Sequence, residues 1–328
     1  MADPAPAPAR AAREDDLLER VHELRTELVR RGEYLDRGWV EQATRDLRSG
    51  ELMGWWYPAS DRGAAGLAFY TIRGERAYGH VHVEPGPAAP ERAERLGVAL
   101  LRSFPPEVRR ADVGLSGLEP TEEVGLGDRL VRDLGGSVLR RRSLERAVTA
   151  SDATDPALPT LGLRTAPVRS VPLEGIAALD LRAFRGTPDE QLLAESLEED
   201  RRGLTELLDG RLGRFLDEAS EALQDASDEV VGAVLVAEQT ARRAIVLDLV
   251  VDPRFQRHGI ALYLMRRVFR ALRAFGFESA RLWVTESNRP AQALYDRLGF
   301  QWVSSARIYR WTSGPPGPVG SNVPSPAR

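Results

Sequence analysis

The stretch VVDPRFQRHGIALYLMRRVF, residues 250–269, joins a run of β-branched residues to an apolar helix through a short turn that contains Gly259. A helix leaves its first backbone N–H groups without intrahelical partners, and its dipole places about half a positive charge at that end. A residue without a Cβ lets an anion approach closely, and Arg257 and His258 add charge at the rim. Three N–H groups at about 1.5–3 kcal/mol each would contribute about 5–9 kcal/mol to diphosphate binding. The turn is therefore a candidate phosphate site, although a lone glycine here is often purely structural.

Two motifs, QRHGIA at 256–261 and NRPAQALYDRLGF at 288–300, lie on either side of a predicted strand. The first is similar to the pyrophosphate loop of the GNAT superfamily of acyl-CoA-dependent N-acyltransferases. That loop has Gln or Arg, Gly three residues later, and Gly or Ala two residues after the Gly. The second motif resembles the N-x-x-A-x-x-L-Y-x-x-x-G-F pattern of the same superfamily at every specified position. The resemblance implies that acetyl-CoA, or a close acyl-CoA, is held as co-substrate between two splayed strands.

The same resemblance implies which residues contact the cofactor. In GNAT proteins the strand before the loop binds the pantetheine arm through main-chain groups, and IVLDLVV occupies that place here. Asn288 matches an Asn that contacts the pantetheine or caps the following helix, and both roles stay open. The expected cofactor-binding residues are Leu249, Val250, Val251, Gln256, Arg257, His258, Gly259, Ile260, Ala261 and Asn288.

Acyl transfer to an amine requires a neutral amine, stabilisation of the oxyanion and a proton for the departing thiolate. Deprotonating an amine of pKa ~10.4 at pH 7 costs about 4.6 kcal/mol, whereas an α-amine of pKa ~8 costs about 1.4 kcal/mol. Asp248 interrupts an apolar strand, and its position resembles that of an acidic residue in aminoglycoside-type GNAT enzymes. It is the first candidate for the catalytic proton acceptor, unless it faces solvent or pairs with an Arg. Glu286, just ahead of Asn288, is the second candidate.

Tyr295 matches the tyrosine of the GNAT motif, which often lies near the thioester sulfur and can protonate the thiolate. A phenol of pKa ~10 is a competent donor to a thiolate of pKa ~8.5. The alternative is a half-buried aromatic that packs on the helix face with Leu294 and Leu298. The oxyanion donor is expected to be a strand N–H, such as that of Val250 or Val251.

The elements that position these residues alternate between strands and helices. In the second half, the pattern predicts strands at 161–168, 229–239, 242–251, 280–285 and 300–311, with helices at 173–184, 188–210, 260–276 and 290–299. The first half follows a similar course, with predicted helices at 14–32 and 39–48 and strands near 52–58 and 66–72. The expected fold class is α/β with mixed α+β sheets. It consists of two GNAT-like domains, each a twisted mixed β-sheet flanked by helices.

The two halves resemble each other in sequence. LVRDLGG at 130–136 lines up with LYDRLGF at 294–300, and VHVEP at 81–85 lines up with LVVDP at 249–253 at a nearly equal offset. Two blocks in the same order suggest an internal duplication. A segment rich in Ser, Thr, Asp, Pro and Ala lies between the halves and is typical of a linker. The expected boundaries are a disordered tail at 1–13, a degenerate GNAT-like domain at 14–148, a linker at 149–160, an acetyl-CoA-binding GNAT domain at 161–312 and a disordered tail at 313–328.

The first half lacks the residues that the chemistry needs. EPGPAAPERAERLGVALL, where its loop should be, does not match the pyrophosphate motif, and Pro87 and Pro90 each remove an amide donor. Val131 stands where the second half has Tyr295, and a valine cannot transfer a proton. His80 falls opposite Asp248 and is more typical of a satisfied strand residue than of a base. We therefore expect a degenerate half that supports or shapes the acceptor site.

Composition excludes several classes of function. The chain of 328 residues has no Cys, which rules out disulfides and thiolate chemistry, and its 45 basic residues are all Arg. A net charge of −4 argues against a general nucleic-acid binder. No apolar stretch approaches the ~18 residues of a membrane span, and no signal peptide is apparent, so a cytoplasmic location is expected. No metal site and no membrane or nucleic-acid partner are expected.

These observations favour an N-acetyltransferase whose second half transfers acetyl from acetyl-CoA to a primary amine of a small molecule or peptide. A tandem arrangement of GNAT domains with one working half fits the layout, and either a monomer or a homodimer is compatible with it. The alternative is a non-catalytic acyl-CoA-binding module that serves sensing or assembly. The identity of the acceptor and the preferred acyl chain stay open.

Overall fold

The computed structural model describes residues 10–11, 52–59, 63–192, 194, 196–210 and 212–312. The described chain divides into two compact units, of which the first comprises the described residues up to 139 together with 307–312 and the second comprises the described residues of 140–306. The predicted helices at 14–32 and 39–48 lie outside the described residues, as do the two predicted tails apart from residues 10–11.

The first unit is a mixed sheet with two helices. Its strands are β1 (Arg10–Ala11), β2 (Leu52–Ala59), β3 (Gly63–Arg73), β4 (Arg76–Val83) and β5 (Arg110–Ser116), and its helices are α1 (Ala89–Ser103) and α2 (Pro120–Leu134). Strands β1 to β4 pair antiparallel in chain order, and β4 pairs parallel with β5. The short β1 lies in the segment that we expected to be a disordered tail. The predicted strands near 52–58 and 66–72 correspond to β2 and β3.

The strand that pairs with β5 on its other side comes from the far end of the chain. Strand β12 (Gln301–Trp311) pairs antiparallel with β5 through its last three residues, beginning at Tyr309 opposite Val113. Tyr309 and Trp311 are both buried in the core of the unit. The Tyr309 hydroxyl donates to the carbonyl of Glu123 in α2 at 3.1 Å. Arg310 binds the carboxylate of Asp112 through Nε at 2.6 Å and Nη2 at 2.8 Å. The sheet of the first unit is therefore completed by the C-terminal strand.

We expect Gly127→Ala to destabilise the first unit by about 1–3 kcal/mol, because overpacking a tight contact forces side chains or backbone to move. A Cβ built on Gly127 lies 1.9 Å from Cζ of Tyr309. The measurement is urea unfolding followed by circular dichroism. Gly125→Ala is the matched control, because it lies in the same helix and its Cβ meets only Arg129 Nη1 at 3.8 Å. The control should leave stability unchanged or raise it by up to ~1 kcal/mol. Equal effects at the two glycines would contradict the packing argument.

The second unit has a larger sheet. Its strands are the later residues of β6 (Ser137–Ala147), then β7 (Arg164–Pro167), β8 (Glu221–Gln224), β9 (Val230–Thr240), β10 (Arg243–Val251), β11 (Ser279–Thr285) and the early residues of β12. Its helices are α3 (Leu173–Phe184), α4 (Leu197–Leu208), α5 (Ile260–Ala274) and α6 (Arg289–Leu298). The strand order is β6-β11-β10-β9-β8-β7, with β10 and β11 parallel and the other neighbours antiparallel.

Helices cover both faces of this sheet. Strand β9 is buried almost throughout, and its residues alternate between two hydrophobic clusters. Val234 and Val236 pack with α5, whereas Ala233 and Leu235 pack with α3 and α4. Because consecutive side chains of a strand point to opposite faces, the apolar run VVGAVLVA serves two cores at once. The structure thus has the mixed α/β architecture that the sequence predicts.

The predicted helix at 188–210 is wrong in its first part. The structure has a 3-10 turn at Glu190–Leu192, and α4 begins only at Leu197, after Ser196 accepts a hydrogen bond from the N–H of Glu199 at 3.1 Å. Glu190 instead accepts from the N–H of Gly186 at 2.8 Å. Local side-chain bonds of this kind compete with the helix. Strand β8 and the 3-10 turn Asp217–Ala219 were not predicted.

The segment expected to be a linker, 149–160, belongs to the second unit. It begins with a 3-10 turn at Ala150–Ala153, where Asp152 binds Arg146 of β6 at 2.7 Å. Asp155 binds Arg267 of α5 at 2.9 Å. The boundary between the two units falls inside strand β6, between residues 139 and 140, and inside strand β12, between residues 306 and 307.

None of the helices within the described ranges has both the length and the apolar content needed to cross a membrane.

Candidate functional site

Strands β10 and β11 stay paired only over the first three residues of each strand. Their parallel pairing covers Arg243 to Ile245, opposite Ser279 to Arg281, although β10 continues to Val251. A β-bulge in the pairing of β10 with β9, between Val246 and Asp248, marks the point where the strands part. A bulge bends its strand and increases the local twist, which turns β10 away from its parallel neighbour. From Val246 to Val251, one edge of β10 therefore has no strand partner. Because Asp252 donates its N–H to Val231 O of β9, Val250 two residues earlier also faces β9, and the main-chain groups of Leu249 and Val251 face this free edge.

The turn after β10 is held by one buried carboxylate. Asp252 is fully buried and accepts from the N–H of Arg254 at 2.8 Å, from Arg254 Nε at 3.0 Å and from Arg182 Nε at 2.7 Å. Burial opposes ionisation, but the bonds from Arg254 and Arg182 outweigh it and lower the pKa of Asp252 to about 2. Asp252 also fixes the turn to β9, because its N–H donates to Val231 O at 2.9 Å. The carboxylate thus sets the path of the chain into α5.

The start of α5 presents open backbone amides. Gly259 has φ +84 and Arg257 has φ +64, so two left-handed residues turn the chain just before the helix. The N–H groups of residues 257–262 find no acceptor in the described part of the chain, and the first helical bond runs from Tyr263 N–H to Gly259 O. A Cβ added to Gly259 would meet nothing within 4 Å. Successive free amides at a helix N-terminus, facing open space, form an anion-binding concavity.

The other loop residues support this geometry. Gln256 Nε2 donates to Val251 O at 3.2 Å, and the Gln256 carbonyl contacts His258 Nδ1 at 2.8 Å. Residues 256–259 are exposed, so the Arg257 and His258 side chains are available at the rim. Ile260 is buried and packs close to Gly232 of β9, which fixes the helix to the sheet. The structure brings together the loop residues that the sequence predicts, and it leaves their amides free.

Asp248 lies on the splayed part of β10 within a group of carboxyl groups. The side chains of Asp180 in α3 and Asp200 in α4 lie close enough to change its pKa. Burial raises the pKa of Asp248 to about 7, with Asp180 opposing and the charge of Asp200 adding to the rise. Burial, followed by the charges of Asp248 and Asp200, raises the pKa of Asp180 well above its ordinary value. A carboxylate poised near neutral pH suits proton acceptance.

Asn288 serves as a helix cap in this structure. Its Oδ1 accepts from the N–H of Ala291 at 3.1 Å, and its Nδ2 donates to Asp189. Thr285, at the end of β11, binds the other oxygen of Asp189. Gln292 Nε2 donates to the carbonyl of Glu286 at 2.6 Å. These bonds fix the start of α6 to β11 and bring Asp189 to the end of β11.

Tyr295 is buried on α6, 8% exposed, and its ring lies edge-on to Phe300 with the centroids 5.6 Å apart. Burial, then the charges of Asp248 and Asp189, raise the pKa of its hydroxyl, while the charge of Arg141 lowers it. Within the described chain that hydroxyl has no hydrogen-bond partner. Tyr295 therefore keeps its proton at neutral pH, and this proton is not committed to another residue.

Glu286 is a weaker candidate base than Asp248. Arg142 Nη2 binds its Oε1 at 2.7 Å and Arg142 Nε binds the same oxygen at 3.1 Å. These bonds lower the pKa of Glu286. A carboxylate held by a guanidinium accepts a proton less readily than one whose burial raises its pKa. The geometry favours Asp248 over Glu286.

In the described part of the first unit, strands β4 and β5 form no comparable slot. Strands β4 and β5 stay paired in parallel from Arg76 opposite Arg110 to His82 opposite Ser116, and the pairing of β3 with β4 has no bulge. Ser116 Oγ lies 2.8 Å from His80 Nε2 and 2.8 Å from His82 Nδ1. Burial, then the charge of His82, lowers the pKa of His80 to about 4. His80 is therefore a satisfied strand histidine, and these two strands do not separate.

Four residues near the site escape sequence reasoning, namely Arg141, Asp180, Asp189 and Asp200. Arg141 of β6 donates from Nη2 to Trp283 O at 2.9 Å, and its partner strand is β11 of the second unit. Asp180 could have been noticed in the sequence, because it is a charged residue on the apolar face of the helix LEGIAALDLRAF, between Ile176 and Ala183. Asp189 and Asp200 could not have been noticed in this way, because they lie among other acidic residues in polar segments.

Comparisons with known proteins agree with this geometry. Residues 178–300 match the model of the Acetyltransferase (GNAT) family. The chain is 30% identical over 166 residues to the mycothiol acetyltransferase of Brachybacterium faecium, which covers 49% of this chain and 47% of the relative. It is 34% identical over 77 residues to the ribosomal protein bS18-alanine N-acetyltransferase of Haemophilus ducreyi, covering 24% of this chain and 53% of the relative. The chain thus spans about half the length of these curated relatives.

Solved structures share the fold over most of the chain. A GCN5-related N-acetyltransferase from Sphaerobacter thermophilus superposes with a TM-score of 0.63 at 19% identity, covering 94% of this chain and 96% of the other. A tandem GNAT protein from the clavulanic acid biosynthesis pathway superposes with a TM-score of 0.63 at 13% identity, covering 94% of this chain and 99% of the other. At these identities the superpositions show a common fold and not a common activity. Residues 178–300 are thus similar in sequence to the GNAT acetyltransferase family, and the chain shares the fold of these solved structures.

Proposed function

We propose that the second unit transfers an acetyl group from acetyl-CoA to a primary amine of a small molecule or peptide. The observation that carries the proposal is the slot between β10 and β11, whose pairing stops at Ile245 opposite Arg281. The free amides of residues 257–262 lie at the end of β10, and Asp248 lies along its free edge. An anion site, an unpaired strand edge and a proton acceptor thus follow one another along a single segment.

The residues of this segment fit acetyl-CoA. The open space above Gly259, where a Cβ would meet nothing, accommodates a diphosphate on the amides of the loop. The main-chain groups of Leu249 and Val251 at the free edge of β10 are available to the amides of the pantetheine arm. Both polar atoms of the Asn288 side chain are engaged within the protein, so its contribution to cofactor binding is the position of α6. Acetyl-CoA supplies the acetyl group as a reactive thioester.

The acidic side chains favour an acceptor that arrives as an ammonium ion. Asp248 and Asp200 place negative charge beside the slot, and a cationic amine relieves the repulsion between them. Asp248 then takes one proton from the ammonium and leaves a neutral amine that can attack. An amine of pKa ~10 gains more from this step than an α-amine of pKa ~8, because more of it is protonated at pH 7.

Two further groups complete the transfer in this proposal. A free N–H group of β10, such as that of Val251, donates to the carbonyl oxygen as charge develops on it. As the C–N bond forms and the C–S bond breaks, Tyr295 donates its proton to the departing thiolate. The second proton of the attacking nitrogen returns to Tyr295 through solvent. The charge of Arg141 favours the transient phenolate.

We assign this activity to the second unit alone. The continuous pairing of β4 with β5, and the two His contacts to Ser116, leave no slot between those strands. Val131 cannot replace Tyr295 as a proton donor. The first unit then serves as a GNAT-like support, and one acetyl-CoA binds per chain.

The test combines calorimetry with a thiol-release screen. Acetyl-CoA is expected to bind with a stoichiometry of one, and amines drawn from amino acids, polyamines, aminoglycosides and peptide N-termini are screened for thiol release. Tyr295→Phe should keep the affinity for acetyl-CoA and lower turnover by about 100-fold or more, because only the hydroxyl is lost. Binding without thiol release from any amine would identify a non-catalytic module instead. No saturable binding would overturn the assignment altogether.

A further inference from the structure

Arg141 of β6 carries a guanidinium group that the described chain leaves largely without partners. It makes one hydrogen bond, from Nη2 to the carbonyl oxygen of Trp283 at 2.9 Å. Its Nε is buried with no acceptor in reach, and no carboxylate of the described chain forms an ion pair with it. A guanidinium has five N–H donors and keeps its charge in proteins. A partly buried cation with most of its donors unused is unfavourable unless a ligand supplies the missing acceptors.

The hydrogen bonds of β11 show on which side of the strand this guanidinium lies. Strand β11 pairs antiparallel with β6, with Thr285 opposite Arg141. The N–H of Glu286 donates to the carbonyl of Arg140 at 2.9 Å, so residue 286 points its main-chain groups toward β6. Because this orientation alternates along an antiparallel strand, the main-chain groups of Thr285 and Trp283 point the other way, toward β10. The guanidinium of Arg141 therefore reaches across β11 to a carbonyl on the edge that faces the slot.

The same guanidinium lies on the face of the sheet opposite α5. Leu282 and Val284 of β11 are buried in the hydrophobic cluster that includes α5. Because side chains alternate along a strand, Trp283, Thr285 and its cross-strand partner Arg141 share the other face. The open amides that suit a diphosphate lie at the start of α5. This placement assigns Arg141 to the acceptor and not to the diphosphate of the cofactor.

The charged groups around Arg141 limit what it can bind. The two oxygens of the Asp189 carboxylate accept from Thr285 and Asn288, which hold it beside the end of β11. Burial lowers the pKa of the Arg141 guanidinium, and the charge of Asp189 opposes that effect. Asp248 places a second carboxyl group on the splayed part of β10. One guanidinium near two acidic groups balances the single charge of a carboxylate better than the double charge of a phosphate ester.

We propose that Arg141 binds a carboxylate of the acceptor, so that the acceptor is an amino acid or a peptide with a free carboxylate near the reacting amine. This inference rests on the proposed function, in which Asp248 receives the ammonium group of the same molecule. Nη1 and the second hydrogen of Nη2 are the donors left for the carboxylate, and together they match its two oxygens. The two residues thus select an acceptor that carries both charges, whereas a simple amine or a polyamine lacks the anion.

The test compares the twenty amino acids and simple dipeptides with their carboxamides, which keep the amine and lose the negative charge. In the wild-type chain we expect kcat/KM for the best carboxylate to exceed that for its carboxamide by about 10–100-fold, the range for a charge-assisted hydrogen bond. In Arg141→Gln this ratio should fall to about 1, chiefly through a higher KM for the carboxylate. Comparing the ratio between the two proteins cancels the lower amine pKa of the carboxamide and any general effect of Arg141 on the chemistry.

Two further variants control for a loss of structure. Arg141→Lys keeps the charge but not the paired N–H donors, so it should keep part of the preference. Arg140→Gln is the matched control, because residue 140 is exposed and lies on the opposite face of β6, and it should leave the ratio unchanged. A wild-type ratio near 1, or a ratio that survives in Arg141→Gln, would overturn the inference.

A binding arm separates this inference from the proposed function. The same panel is titrated by calorimetry into the full chain with CoA in place of acetyl-CoA, so that no transfer occurs. Tighter binding of a carboxylate than of its carboxamide by about 10-fold or more, lost in Arg141→Gln, supports the site even when no amine is acetylated. Equal affinities, or binding of neither compound, would overturn the carboxylate site. Thiol release with polyamines alone would then leave the acetyl transfer standing without it.

Discussion

Asp248→Asn is expected to lower kcat/KM for acetyl transfer by about 10²–10⁴-fold, the range for loss of a positioned general base. The affinity for acetyl-CoA should stay unchanged, because the loop amides and the free edge of β10 do not depend on the carboxylate. The variant should fold, because an Asn side chain has the same shape as the Asp side chain and can both donate and accept hydrogen bonds. Acetyl transfer at saturating acetyl-CoA, together with calorimetry, measures the two quantities separately.

The pH dependence of kcat/KM provides a second test of the role of Asp248. Burial raises the pKa of Asp248 to about 7, so the carboxylate form is lost as the pH falls through neutrality. Wild-type kcat/KM should therefore rise with pH across that region, and Asp248→Asn should lack this limb. Asp209→Asn, at the exposed end of α4, serves as the matched control and should reproduce the wild-type profile. Retention of the limb in Asp248→Asn would show that another group accepts the proton, and Glu286→Gln would then be examined as the second candidate.

Gly259→Glu is expected to weaken acetyl-CoA binding by at least about 100-fold, which corresponds to about 2.8 kcal/mol. The new side chain would extend into the open space beside the amides of residues 257–262, and its charge would repel a diphosphate. The φ of +84 adds a strain of about 1–2 kcal/mol for any residue with a Cβ. Isothermal titration calorimetry with acetyl-CoA measures the loss.

Gly276→Glu is the matched control for this change. Gly276 follows the same helix at its other end, has φ +76, and an added Cβ there also meets nothing within 4 Å. Both variants thus carry similar backbone strain and the same added charge, and they should lose similar stability in thermal unfolding. Only Gly259→Glu should lose affinity for acetyl-CoA. Equal losses of affinity in the two variants would place the diphosphate elsewhere.

The loop and the helix that follows it could be predicted because their chemistry depends on neighbours in sequence. A left-handed glycine, the free amides after it and the cap at Asn288 are all local features. The apolar runs likewise predict β9, β10 and α5 to within one or two residues. The separation of β10 from β11 is different, because it depends on a bulge that appears only in the pairing with β9. The separation of these strands could be expected from the resemblance to GNAT proteins, but not from the hydrophobic periodicity of the sequence.

The carboxyl groups around Asp248 could not be predicted from local pattern. Asp180, Asp189 and Asp200 come from two helices and a connection, and only tertiary packing brings them to one strand. The expected helix at 188–210 would have placed Asp189 within a helix. In the structure Asp189 precedes a 3-10 turn, and its carboxylate binds Thr285. Arg141 is a similar case. Strand periodicity says which residues share a face, but it does not name the partner strand.

The way β6 and β12 are shared has a practical consequence for dissecting this protein. A fragment that starts at residue 161 would lack Arg141 and Arg142 and would leave β11 with a bare edge, which invites association with other chains. A fragment that stops at residue 148 would lack Tyr309 and Trp311 and would expose the apolar groups that they cover. Each half, expressed alone, is thus expected to be recovered as aggregate, and co-expression of the two pieces is expected to restore soluble protein.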